Sequence, residues 1–171
     1  VTDAIELIVA LEKDKKTKAA ALEFLAATNN KKYLALYEKN ITDSSYSVAG
    51  AALQGLSSLQ PDKAYELAKK YGVLIIEDNP YGDLRYSGEY VPNIKSFDTD
   101  GIVIYAGSFS KVISPGMRVA YTIAPKPIFQ KLVVCKQGND VHTNIWAQYV
   151  CDEFITKYDF NAHLAKLREI Y

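Results

Sequence analysis

The chain has 171 residues, 49% hydrophobic and 23% charged, enough for one core or two small ones. Its 20 Lys and Arg balance its 20 Asp and Glu, and a zero net charge offers nucleic acid or an anionic membrane surface no basic excess. The apolar runs fall far short of the ~20 residues of a membrane span, and Val1-Thr2-Asp3 leads straight into amphipathic text rather than a signal peptide.

Residues 1–71 read as helix. Apolar residues recur at helical spacing in Ile5, Leu7, Ile8 and Leu11, then in Ala20, Ala21, Leu22, Phe24 and Leu25. Asn29-Asn30 breaks the second helix, and Tyr33, Leu34, Leu36 and Tyr37 begin a third. Asp43-Ser44-Ser45 offers N-cap residues for a fourth helix through Val48, Ala51, Ala52, Leu53 and Leu56. Pro61 suits a first turn and Gly72 the position just past a helix end. Ala20-Ala21-Leu22 returns as Ala51-Ala52-Leu53 at an offset of 31, which Leu25 and Leu56 share, as do Leu36 and Leu67. Such a period suggests stacked helical hairpins of the HEAT sort; two ordinary Ala- and Leu-rich amphipathic helices would give similar text.

From Gly72 the pattern changes. Val73–Ile76 is an apolar run that ends in acidic residues, as a buried parallel strand does at its carboxyl end. Ile102–Ala106 reads as a second such strand and Val119–Ala124 as a third. Pro80, Gly82, Gly88 and Pro92 mark the loop between the first two. Helix returns at about Ile128–Gln137, Asn144–Thr156 and from Asn161 to the end, where Tyr171 closes the text in mid-helix as if cut. Cys135 and Cys151 are expected to be buried free thiols, which suits a cytoplasmic protein. His142 and His163 are expected on helix surfaces or at caps, and no metal site is expected.

Four elements stand in an order that suits one charged cofactor. They are Asp78 after the first strand, Tyr81 three residues on, Ser108-Phe109-Ser110-Lys111 after the second, and Arg118 before the third. Pyridoxal 5'-phosphate has demands that these residue types meet. Its aldehyde needs a lysine amine, Lys111. Its pyridine nitrogen is an electron sink only while protonated, and the Asp78 carboxylate would hold that proton. Its ring hydroxyl wants a donor, Tyr81. Its phosphate is a dianion that Ser108, Ser110 and Arg118 could grip with hydroxyls and a guanidinium fork. Sites in open α/β sheets gather at the carboxyl ends of strands, where Asp78 and Ser108 fall. Singly, Asp78 is a routine loop carboxylate and Lys111 a routine surface lysine; their order and separation carry the signal.

The stretches IIEDNPYGDLRYSGE, VIYAGSFSKVISPGMRVAYTIAP and KQGNDVHTNIWAQ are nearly continuous family text. Through them, residues from about 64 to 171 resemble the middle of fold-type I, pyridoxal phosphate-dependent class I/II aminotransferases. The likeness is greatest to the branch acting on aromatic, branched or 2-aminoadipate-like amino acids. The resemblance implies that Lys111 forms the Schiff base, that Asp78 partners the pyridinium and that Tyr81 contacts the ring hydroxyl. It implies likewise that Ser108, Ser110 and Arg118 hold the phosphate. Amino acid and 2-oxo acid substrates follow, with a homodimer as a further implication.

Departures from the family pattern accompany these matches. The Gly/Ser-rich phosphate loop, the ring-stacking aromatic and the Asn-Pro segment expected upstream are not found, since Gly50 and Gly55 sit in helical text. The arginine for the substrate carboxylate, expected downstream, is also missing, and Arg168 in the last helix does not suit that role. Residues 5–71, through DSSYSVAGAALQGLSSLQPDKAYELAKKY, instead resemble the helical C-terminal domain of gluzincin-type aminopeptidases, without that family's HExxH zinc motif. A mosaic joined through the helix at residues 64–71 accounts for both likenesses.

The expected fold is α/β. A HEAT-like helical segment occupies residues 1–71, and a partial aminotransferase-like domain, with a short, mostly parallel sheet flanked by helices, occupies 72–171. The expected function is a pyridoxal phosphate-dependent aminotransferase-like domain, incomplete and weak or inactive. The alternative is a non-catalytic helical-repeat interaction module with a relic cofactor site.

Overall fold

The computed structural model describes residues 2–171; Val1, read above as the start of the first helix, lies outside them. The chain divides into two compact units, one of residues 2–73 with Val91–Phe97, the other of Leu74–Tyr90 with Asp98–Tyr171.

Among its described residues the first unit holds five α-helices: α1 (Thr2–Leu11), α2 (Lys15–Ala27), α3 (Leu34–Asn40), α4 (Tyr46–Ser57) and α5 (Pro61–Lys70). Their boundaries have local causes. Asp14 caps α2 by accepting from the Thr17 N–H at 2.8 Å. Asn29 takes a left-handed φ of 48° just past the end of that helix. Pro61 opens α5, where its missing N–H costs nothing. Beyond α5, Gly72 at φ 63° donates to Lys69 O at 3.1 Å, and Val73 donates to Ala68 O at 2.9 Å. That is a Schellman cap, and it needs the left-handed backbone that glycine adopts most easily.

Apolar faces of these helices meet around Val9, Leu22, Leu25, Tyr37, Val48 and Leu56, each essentially excluded from solvent. α2 lies chiefly against α4. The small residues Ala21, Ala51 and Ala52 are buried between them, where short side chains let backbones come close. In the sequence repeat, Ala21 and Ala52 are buried alike, as are Leu25 and Leu56, but Ala20 is exposed where Ala51 is buried.

The second unit carries a mixed sheet of β1 (Ile75–Asp78), β2 (Val103–Ser108) and β3 (Ala120–Ile123) in that spatial order, with α6 (Lys126–Asn139), α7 (Ile145–Lys157) and α8 (Phe160–Ile170). β1 and β2 are parallel, pairing Ile75 with Val103 and Asp78 with Ala106. β2 and β3 are antiparallel, pairing Ser108 with Ala120 and Tyr105 with Ile123.

Four expectations need correction here. The third strand is antiparallel rather than parallel. Only a 3-10 turn at Pro115–Met117 joins β2 to β3, and a parallel return needs a crossover of about a dozen or more residues, usually a helix. The first strand starts at Ile75 rather than Val73, because the Val73 N–H is spent capping α5. Buried strands were also expected, yet Ile76 is 73% exposed and every residue of β3 is exposed. α6 has no buried residue, so Cys135 is exposed, against expectation, while Cys151 is buried beside Val119 and Ala147.

Elsewhere the second unit is well determined locally. The Asp98 carboxylate accepts from the N–H groups of Gly101, Ile102 and Val103 at 2.8, 3.0 and 3.1 Å, fixing the entry to β2. Asp159 caps α8 by accepting from the Ala162 N–H at 3.0 Å. Leu84, Val112 and Leu164 form a small buried cluster, with Phe109, Ile113, Phe160 and Leu167 against it. Among the described residues, no helix is long and apolar enough to cross a membrane.

Candidate functional site

Register brings the six candidate residues to one end of the sheet. Asp78 is the last residue of β1 and sits opposite Ala106 of β2. β2 runs parallel and ends at Ser108, so Ser110 and Lys111 follow it at the same end. β3 runs back and begins at Ala120 opposite Ser108, so Arg118 precedes it there. Tyr81 lies in the loop leaving β1 just before a 3-10 turn at Gly82–Leu84.

Two direct relations between these residues are fixed. The Lys111 Nζ stands 5.1 Å from the centroid of the Tyr81 ring, within cation–π range. The lysine is half-buried and the tyrosine is exposed. Ser108 Oγ accepts from the Ser110 N–H at 3.1 Å, which curls the loop ahead of Lys111. A hydroxyl that accepts in this way keeps its own hydrogen to donate. Arg118 adopts a left-handed φ of 55° and donates from Nη1 to Pro115 O at 3.3 Å. Its φ is costly for a side chain other than glycine and is a form of strain found at binding sites. Asp78 is exposed at the strand end.

This donor set fits a phosphate-bearing aldehyde. An amine, two hydroxyls and a guanidinium occupy the end of the sheet that also carries a carboxylate and a phenol. Among the described residues, no group of three or more His, Cys, Asp or Glu is placed to hold a metal ion. A depression of about 350 Å³ on α7, lined by Ile145, Gln148, Tyr149 and Asp152, includes none of the six.

Two residues near the site were not anticipated in this setting. His163 is no simple surface or capping histidine: its Nε2 lies 2.8 Å from the carbonyl oxygen of Val112, directly after Lys111. Arg168 donates from Nε and Nη2 to the carbonyl oxygen of Asp83 at 3.1 and 2.7 Å. The two stand five positions apart in α8, about 140° around the helix, and nothing in the sequence names the loops they reach.

Residues 57–170 match the family model described as aminotransferase class I and II. The match starts seven residues before the resemblance noted at residue 64 and stays clear of most of the helical front. The aromatic-amino-acid aminotransferase 1 of Thermococcus litoralis is 42% identical over 106 residues, which cover 62% of this chain and 25% of that protein. The crystal structure of the multiple substrate aminotransferase from Thermococcus profundus is similar with a TM-score of 0.63 and 40% identity, covering 66% of this chain and 28% of that one. The alpha-aminoadipate aminotransferase of Thermus thermophilus, solved with N-(5'-phosphopyridoxyl)-L-leucine, gives a TM-score of 0.61 at 34% identity, over 65% of this chain and 29% of that one. The chain thus spans between a quarter and a third of the length of these relatives.

Proposed function

The chain belongs to the class I and II aminotransferase family, and from that premise we propose that its second unit is a pyridoxal phosphate-binding site built on Lys111. Pyridoxal 5'-phosphate is the cofactor of that family. The observation that carries the proposal is the strand register: Asp78 opposite Ala106, and Ser108 opposite Ala120, turn four separated sequence elements toward one sheet end.

In this reading Lys111 supplies the amine that bonds the cofactor aldehyde. Asp78 holds the proton of the pyridine nitrogen. The Tyr81 hydroxyl donates to the ring hydroxyl, and Ser108, Ser110 and Arg118 bind the phosphate dianion. When bound, the cofactor supplies the electron sink for bonds at an amino acid's α-carbon. Once released, Lys111 Nζ takes the proton from that α-carbon and returns it elsewhere, as a general base and acid.

The substrates in this reading are an amino acid donor and a 2-oxo acid acceptor. Their support is the relatives, named for aromatic amino acids and for alpha-aminoadipate. We further propose that the 171-residue chain alone binds the cofactor weakly and turns over poorly, because Asp78, Tyr81 and Arg118 are open to water. Water competes for each of their hydrogen bonds. A homodimer belongs to the same reading, and sedimentation at two concentrations tests it. For the first unit, HEAT-like stacking has the shared burial of Ala21 with Ala52 and Leu25 with Leu56 as its support.

The test is a visible spectrum with pyridoxal phosphate, borohydride reduction, and mapping of the pyridoxyl label. A label confined to Lys111 and absent in Lys111→Ala is the expected result. A label spread over surface lysines would sink the assignment and return the chain to the helical-module alternative.

A further inference from the structure

Three side chains of α8, His163, Leu164 and Arg168, reach the two loops that carry Lys111 and Tyr81. His163 Nε2 is 2.8 Å from Val112 O, and because a carbonyl oxygen only accepts, the ring carries its proton at Nε2 there. The imidazole is held edge-on against Phe154, ring centroids 4.9 Å apart. Arg168 closes two N–H groups on the one oxygen of Asp83, two residues after Tyr81. Between these ties, Leu164 is buried against Leu84 of one loop and Val112 of the other. Positions 164 and 168 are four apart and share a helix face, while 163, adjacent in sequence, points about 100° round the helix from 164.

We infer that α8 is a brace for the site, with His163 and Arg168 as positioning residues that set Lys111 against Tyr81. They act through the carbonyls of Val112 and Asp83 and touch no reacting atom. The inference rests on the reading of Lys111 as the cofactor-bearing amine. Its physical basis is that the two loops leave different strands, and a 5.1 Å cation–π contact survives only if both are held. Backbone carbonyls are suitable anchor points, since they move with the loop rather than with a rotamer. The guanidinium fork is suited to such a grip because its donors are rigidly disposed.

The experiment uses the whole chain in two arms. Without cofactor, brief treatment with acetic anhydride is followed by mass spectrometry, reading acetylation of Lys111 against Lys131 of the exposed α6 in the same sample. With cofactor, a spectral titration gives the affinity for pyridoxal phosphate. Variants are His163→Ala, His163→Gln, Arg168→Ala and Arg168→Lys, each checked for retained helix by circular dichroism. Expected for both alanine variants is a Lys111 to Lys131 ratio raised roughly threefold, as a cation–π contact of this exposure is lost. Cofactor affinity should fall roughly fivefold to tenfold, the scale of losing one hydrogen bond that holds the site. His163→Gln and Arg168→Lys, which each keep a donor, should recover part of both effects. A purely structural role would lower stability and leave the acetylation ratio of the folded protein unchanged, and that result overturns the brace.

If His163→Ala loses helix through its contact with Phe154, Arg168→Ala, an exposed position, decides alone. Should the parent chain take no label on Lys111, the cofactor reading fails, while the acetylation ratio still decides the brace.

Discussion

The ammonium of Lys111 and the ring of Tyr81 meet at 5.1 Å although they stand thirty positions apart, in loops that leave two different strands. That contact makes the tyrosine a two-part residue. Its ring steadies the amine, and its hydroxyl is the proposed donor to the cofactor. Removing the parts in turn should therefore give graded losses. Tyr81→Phe is expected to weaken pyridoxal phosphate binding roughly fivefold, the scale of one hydrogen bond. Tyr81→Ala should weaken it a further two- to fivefold or so, the scale of an exposed cation–π contact. Spectral titration of both variants measures this, and equal affinity in the two would remove the ring from the argument.

Tyr37 is fully buried among α3 and α4, and its hydroxyl has no hydrogen-bond partner among the described residues. An unsatisfied buried hydroxyl costs about 1–3 kcal/mol. Tyr37→Phe should therefore leave stability unchanged or raise it by about 1 kcal/mol, as read from a urea midpoint.

The same burial pushes the Tyr37 phenol up to about 12, and burial first, then Tyr121, does the same for Tyr105. An unfolded tyrosine releases its proton near the ordinary value of 10. Between these values the unfolded chain binds fewer protons than the folded one, so stability falls as pH rises. The contribution is whole below about pH 10 and lost through about pH 12. Thermal melts in that window should drop less steeply for Tyr37→Phe than for the parent.

Glycines 50 and 55 share α4 but meet different surroundings. A methyl at 50 would touch nothing within 4 Å, whereas one at 55 would lie 2.6 Å from Tyr37 Cε1. Gly50→Ala should stabilise by about 0.5–1 kcal/mol through helix propensity. Gly55→Ala should destabilise by about 1–3 kcal/mol, since overpacking outweighs the propensity gain. Chemical denaturation of both variants checks the sign in each case.

Acid should loosen the helical unit through two carboxylates. A hydrogen bond from Lys15, then one from the Ser45 N–H, holds the Asp43 carboxyl below its ordinary value, and Thr17 does so for Asp14. Folded groups with depressed values contribute stability above the unfolded carboxylate range and lose it as pH falls through the folded value. Asp43→Asn should flatten the acid limb of the stability profile below about pH 4, measured by helical circular dichroism.

Much of this protein could be read from the text because the information is local. Pro61 and Gly72 bound α5 where expected, since ring geometry and positive φ are properties of single residues. The helices fell near their expected places because a 3.6-residue period appears in the sequence itself. Strand direction did not, because β3 turns back on the length of a link rather than on its own residues. Nor did burial: the apolar text of α6 reads as core, and the side chains of Phe129 and Val134 are nonetheless 49% and 64% exposed.

By itself the sequence determined the residue types of the candidate site and their order: an acid, a phenol, two hydroxyls, an amine and a guanidinium. Those are covalent facts, and chemistry attaches to them wherever the chain goes. Only the tertiary structure decided that they share one sheet end, through parallel pairing at Asp78 and antiparallel pairing at Ser108. It alone decided also that His163 and Arg168 reach the loops of Lys111 and Tyr81. Their partners are backbone carbonyls, which every residue carries and no sequence pattern can mark.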